Sequence, residues 1–84
     1  IMASTDQHSG YPGSYGDGRI GVLAPSLTRD AIWEALRTRH VCAATGDKII
    51  IDFRLNDALM GDVVRGNSRR IYLNVTGESC IDIV

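Results

Sequence analysis

Asp6 and His8 are the residues near the start of the chain whose types and spacing suit metal chemistry. In an extended segment, residues i and i+2 project from the same face, so an extended backbone would point both side chains the same way. A carboxylate oxygen and a neutral imidazole nitrogen are suitable ligands for Zn, Mn or Fe. The pair therefore predicts two ligands of a divalent metal ion; the alternative is a turn residue beside a surface histidine.

Three segments carry a resemblance to a known family: residues 4–14, which include Asp6 and His8, residues 27–36, and residues 44–49. In this order they resemble the C-terminal part of the PHP (polymerase and histidinol phosphatase) superfamily of metal-dependent phosphoesterases. The resemblance implies a distorted (β/α)7 barrel whose strand ends carry metal ligands, with Asp6 and His8 as two of them. Family enzymes take further ligands from earlier strands, including a His-x-His motif that this sequence lacks.

The expected fold class is α+β. Residues 1–45 would form the last strand, the Gly-rich loop and the helix of a PHP-like barrel, and residues 46–84 would begin an antiparallel β accessory domain, part of a sheet or sandwich. With 84 residues, the chain is far shorter than a (β/α) barrel. We therefore interpret it as a truncated piece of a longer protein.

The segment from residue 9 to residue 21 is rich in glycine and reads as a long loop. One interpretation is a concavity of backbone N–H groups that binds a phosphate ester beside the metal. The substrate-binding residues would then be Tyr11, Gly13 and Tyr15. The other interpretation is a mobile connection whose tyrosines cover apolar surface.

Local patterns predict the elements of the first half. Residues 1–5 read as a short strand, and residues 41–44 as another short strand or as an extended link. Thr28 is a suitable N-cap for a helix with Asp30 in its first turn, where a negative charge meets the positive end of the dipole. Apolar residues at helical spacing then define the buried stripe: Ala31, Ile32, Ala35 and Leu36. Trp33, beside this stripe, would stack over the surface of the barrel or of a neighbouring domain, or else serve as a ligand platform or an interface anchor.

Strand-like alternation of apolar residues begins at residue 49 and predicts three antiparallel strands. The first carries Ile49, Ile51, Phe53 and Leu55 on one face, and a turn follows at Asn56-Asp57. The second covers residues 71–76 and the third residues 80–84. The arginines between the first two, Arg65, Arg69 and Arg70, belong to a solvated loop or, alternatively, bind phosphate.

Charge and composition exclude several classes of partner. The formal net charge of -1 provides no attraction to nucleic acid or to an anionic membrane. The sequence shows no targeting signal and no apolar run long enough to cross a membrane, and we assign no compartment. Cys42 and Cys80 lack the spacing of a metal or disulfide framework and are interpreted as small core residues.

The predicted function is metal-assisted hydrolysis of a phosphorylated small molecule by the longer protein, with a metal-activated water as nucleophile. Two ligands leave a metal only half coordinated, so this chain alone is expected to be inactive. The alternative is a noncatalytic β-rich interaction or oligomerisation module with an incidental Asp-x-His. Such a module would self-associate through the edge of its sheet.

Overall fold

Six short elements make up the computed structural model, which describes residues 1–11 and 18–79. In chain order they are β1 (Gly18–Val22), α1 (Arg29–Arg37), β2 (Val41–Thr45), β3 (Ile50–Leu55), β4 (Ala58–Leu59) and β5 (Ile71–Thr76). Strands β1 and β2 form an antiparallel two-stranded sheet. Strand β3 lies between β4 and β5 in an antiparallel three-stranded sheet.

Helix α1 begins as its sequence predicts. The Thr28 backbone is extended, and its hydroxyl oxygen accepts a hydrogen bond from the Ala31 N–H at 3.3 Å, which satisfies one of the free donors at the helix start. Asp30 lies in the first turn and Arg37 in the last, so both charges complement the helix dipole.

The helix ends in a Schellman motif with a non-glycine residue in its left-handed position. The His40 N–H donates to the Ala35 carbonyl at 2.9 Å, and the Arg39 N–H donates to the Leu36 carbonyl at 3.2 Å. Arg39 has a φ of +64°, a conformation that costs an L-residue roughly 1–2 kcal/mol. This reversal turns the chain directly from the helix into β2 at Val41.

Strand β1 lies where the sequence predicts loop, and its glycines have a packing role. A Cβ on Gly18 would overlap the backbone of Ser4, and one on Gly21 would lie 2.5 Å from the Cys42 sulfur. Glycine in a strand often marks such a close approach. The predicted strand at residues 1–5 is wrong, because that segment has no regular structure, although its Ser4 backbone lies against β1.

The predicted barrel segment is also wrong. In a (β/α) barrel, a strand, its helix and the next strand place the two strands parallel to each other. Here β1 and β2 flank α1 in the chain but pair antiparallel, with Gly18 opposite Thr45 and Val22 opposite Val41. The described residues form two small antiparallel sheets and one short helix, an arrangement that is not the end of a (β/α)7 barrel.

The three-stranded sheet begins with a tight hairpin at the predicted Asn56-Asp57 turn. Leu55 pairs with Ala58, so the loop contains two residues, and both have positive φ (51° and 68°) as in a type I′ turn. Strand β5 then pairs with β3 from Ile71 opposite Leu55 to Thr76 opposite Ile50. Strands β3 and β5 confirm two of the three strands that alternation predicts, while residues 80–84 lie outside the described part of the chain.

Few apolar side chains are fully buried. Among the described residues, the buried apolar side chains are Ala35 and Val41, whereas thirteen large apolar residues are exposed. Trp33 is 62% exposed, so the stacking predicted for it is not made within the described part of the chain. The predicted boundary between residues 45 and 46 lies at the end of β2, where the chain passes from one sheet to the other, although the division into domains stays a prediction.

Candidate functional site

The predicted metal ligands Asp6 and His8 lie on the irregular segment before β1, and both are exposed. Asp6 has a φ of +51°, which departs from the extended backbone on which the shared direction of the two side chains depends. Neither makes a hydrogen bond or ion pair within the described residues. Metal binding by Asp6 and His8 stays a prediction.

The remaining predicted site residues are only partly described. Tyr11 is 71% exposed, whereas Gly13 and Tyr15 lie outside the described residues. In the described ranges, no group of three or more His, Cys, Asp or Glu side chains is arranged to hold a metal ion. The structure therefore brings no further metal ligand to Asp6 and His8 within these ranges.

A pair of hydrogen bonds that sequence reasoning missed connects the two sheets. The guanidinium Nε of Arg39 donates to the Gly61 carbonyl at 3.0 Å, and Nε2 of His40 lies 2.8 Å from Oδ1 of Asp62. We call this contact of residues 39–40 with residues 61–62 the joint. Its partners are 22 positions apart in the chain, and their local sequence signals only a bend at Gly61-Asp62.

Each carboxylate oxygen of Asp62 has a hydrogen-bond partner. Oδ1 faces His40, and Oδ2 accepts the Leu59 backbone N–H at 3.0 Å. The hydrogen bond from His40, followed by the one from Leu59, lowers the pKa of Asp62 below its ordinary value, because both donors favour the ionised form. Asp62 is thus an anion placed against the imidazole.

His40 also contacts the end of helix α1. Its Nδ1 lies 3.2 Å from the Thr38 hydroxyl oxygen, and that hydroxyl lies 2.8 Å from the Glu34 carbonyl oxygen. The Schellman reversal places the imidazole here, because it turns the backbone at Arg39. His40 therefore bridges the helix terminus and the turn after β4.

A cleft of about 210 Å³ lies beside the joint and is lined by both sheets. Val22 and Val41 contribute from the two-stranded sheet, and Phe53 and Leu59 from the three-stranded sheet. Small-molecule binding sites are typically clefts of about 300–1,000 Å³ with apolar walls and a few polar groups, so this cleft has the usual character but is smaller than most. In this cleft, His40 and Asp52 are among the lining residues that carry polar groups.

Charged side chains cluster on the polar face of the three-stranded sheet. Arg54 donates to both oxygens of Asp52 at 2.8 and 3.0 Å, which lowers the pKa of Asp52 and raises that of Arg54. Arg70 reaches both oxygens of Asp57 at 3.2 and 3.1 Å. Arg70, one of the three candidate phosphate-binding arginines, is thus already paired with a carboxylate.

Among residues 1–11 and 18–79, no helix has the length and apolar character needed to cross a membrane.

Comparisons with known proteins give two relatives, both uncharacterized proteins of Chlamydia. The chain is 33% identical over 55 residues to one from Chlamydia pneumoniae, which covers 66% of this chain and 9% of the relative. It is 38% identical over 47 residues to one from Chlamydia trachomatis, which covers 56% of this chain and 8% of the relative. The chain thus spans less than a tenth of either protein. No family model and no solved structure matches it.

Proposed function

We propose that this chain is a noncatalytic, β-rich interaction module that joins a second copy of itself through the β5 side of the three-stranded sheet. The observation that carries the proposal is the exposed apolar surface on β5. Ile71 and Leu73 are 65% and 45% exposed, although they pair with Leu55 and Phe53 of β3. Residues directly opposite in a sheet share a face, so these side chains belong to one apolar face.

The edge of β5 supports the same proposal. Within the described residues β5 pairs with β3 alone, so its other edge offers unpaired N–H and C=O groups along six residues. Such an edge is a ready template for another strand. A second copy that pairs there antiparallel would satisfy both edges at once by two-fold symmetry, and it would place Ile71 and Leu73 beside apolar side chains of the second β5 strand.

The two faces of β5 provide a matched test. Leu73→Lys places a charge on the apolar face, whereas Asn74→Lys places the same charge on the next residue, which projects from the opposite face. In sedimentation velocity, the unmodified chain is expected to form a dimer whose population rises with concentration. Leu73→Lys should shift it to monomer, and Asn74→Lys should retain the dimer. A monomeric unmodified chain, or equal loss in both variants, overturns the proposal.

A second candidate function is supply of two ligands, Asp6 and His8, to the metal centre of a phosphoester hydrolase. The observation in its favour is that both side chains are exposed and make no hydrogen bond or ion pair within the described residues. A free carboxylate and a free imidazole are available to a metal without breaking existing contacts. The remaining ligands would come from outside the described residues.

Zinc titration followed by NMR tests this candidate, with His40 as the internal reference because the sequence has two histidines. Weak Zn²⁺ binding should shift the His8 ring signals first, and Asp6→Ala should reduce that shift. Addition of Zn²⁺ or Mn²⁺ should produce no hydrolysis of p-nitrophenyl phosphate by this chain alone. Zinc that shifts His40 before His8, or a shift unaffected by Asp6→Ala, counts against the candidate.

A further inference from the structure

The hydrogen-bond contacts around His40 are best satisfied by one protonation state of its ring. A hydroxyl has one proton to donate, and the Thr38 hydroxyl makes its shortest contact with the Glu34 carbonyl, at 2.8 Å. A carbonyl oxygen only accepts, so this proton points at Glu34. The Thr38 oxygen must then accept from Nδ1 of His40, 3.2 Å away.

The second ring nitrogen faces an acceptor as well. Nε2 of His40 lies 2.8 Å from Oδ1 of Asp62, which is ionised over most of the pH range because its pKa is lowered. An ionised carboxylate only accepts hydrogen bonds. Both contacts, together with the Thr38–Glu34 bond, are satisfied when both ring nitrogens donate, which is the doubly protonated imidazolium.

Neutral histidine cannot keep this set of contacts. If the one remaining proton lies on Nε2, the Thr38 hydroxyl must turn away from Glu34 to reach Nδ1, and the end of helix α1 loses that hydrogen bond. If the proton lies on Nδ1, the lone pair of Nε2 faces the Asp62 carboxylate at 2.8 Å. Either outcome weakens the bridge between the helix and the three-stranded sheet.

We propose that His40 is a proton-dependent latch that holds the two sheets together when its ring is doubly protonated and loosens them when it is neutral. The charged and titratable groups around it are few. Asp62 faces it from the turn after β4, Arg39 precedes it, and Asp52 of β3 and Cys42 of β2 line the same cleft. Among these groups, Asp62 lies within hydrogen-bond distance of the His40 ring.

The latch controls the cleft, because the imidazole is part of its wall. The joint contains one hydrogen bond from Arg39 and one contact of His40. The Arg39 bond does not depend on the protonation of histidine. Loss of the proton from His40 weakens its bridge, either at the Thr38–Glu34 bond or at the Asp62 contact, and allows the cleft to widen around the Arg39 bond.

NMR of the unmodified chain tests the proposal. At pH 5.5, the ¹⁵N signals of His40 should show both ring nitrogens protonated. On titration to pH 8, the methyl signals of cleft residues Ile51 and Met60 should move with the midpoint of His40 and not with that of His8, which is exposed. A singly protonated His40 at pH 5.5, or cleft signals that do not follow His40, overturns the proposal.

Variants provide a second measurement. His40→Gln keeps a side-chain donor but cannot titrate, so the pH-dependent shifts of the cleft methyls should be lost. His8→Gln is the matched control and should retain them. Retention of the full pH dependence in His40→Gln overturns the latch; if His40→Gln fails to fold, the titration of the unmodified chain decides on its own.

Discussion

The α-carbon of Gly61 lies so close to the backbone carbonyl of Arg39 that a Cβ at this position would overlap the carbonyl oxygen. Gly61 also has a φ of +105°, which L side chains rarely adopt. The close approach allows its own carbonyl to accept the Arg39 guanidinium at 3.0 Å. The joint between the sheets thus requires a residue without a side chain.

Gly61→Ala is expected to destabilise the chain strongly. Strained backbone alone costs of order 1–3 kcal/mol, and the collision with Arg39 adds to that. Gly66→Ala is the matched control, since nothing lies within 4 Å of a Cβ there. Urea unfolding of the two variants measures the difference, and equal stability of both would show that the joint tolerates a Cβ.

The close approach of Gly21 to Cys42 predicts a rescue. Gly21→Ala places a methyl group 2.5 Å from the Cys42 sulfur and should cost about 1–3 kcal/mol by overpacking. Cys42→Ala removes the sulfur, so the double variant should regain much of the loss. A double-mutant cycle from thermal unfolding measures this coupling. Purely additive effects would contradict the contact.

Asn56 is predicted to be the critical residue of the β3–β4 hairpin. Its side chain donates to the Ser68 carbonyl and accepts from the Arg70 N–H, both at 2.8 Å, and its φ is +51°. Asn56→Ala should cost about 2–4 kcal/mol, from left-handed strain and two lost hydrogen bonds. Asp57→Asn, which suits its positive φ, should change stability little. Chemical denaturation compares them, and a small loss for Asn56→Ala would contradict its role.

Acid should weaken the joint through Asp62. Its pKa is lower in the folded chain than in the unfolded chain, where an aspartate titrates near 3.9, so the unfolded state binds the proton more tightly. This contribution to stability is present above that value and is lost as the pH falls through the lowered pKa. Asp62→Asn should therefore flatten the fall in thermal stability between about pH 5 and pH 2. Asp57→Asn is the exposed control, and an unchanged acid profile in Asp62→Asn would refute the assignment.

The sequence predicts the elements whose signals are local. Thr28 begins the helix because a hydroxyl before an apolar stripe caps it, and Asn56-Asp57 forms a turn because both residues tolerate positive φ. Strand β1 was missed because the same glycines that let Ser4 and Cys42 approach the strand are also typical of loops. Composition does not distinguish these two uses of glycine.

The contacts between distant segments were not predictable in this way. Antiparallel pairing of β1 with β2 depends on the Schellman reversal at Arg39. Glycine is the usual sequence signal for this positive φ, and here the position is an arginine. His40 and Asp62 are 22 positions apart, and no helical or strand-like pattern in the sequence connects them. For the proposed metal ligands, the residue types suggest the chemistry, but the direction of the side chains depends on a backbone conformation at Asp6 that spacing alone does not specify.

The exposed stretch from residue 62 to residue 70 has a practical consequence for dissecting the protein. It contains no helix or strand, and it carries Arg65 midway, a cleavage site for trypsin. After a cut there, β5 would still be held by its ladder to β3 and by the two side-chain bonds of Asn56. The chain should therefore survive nicking as two associated fragments, and separately produced halves should reassemble, which would make it a split protein.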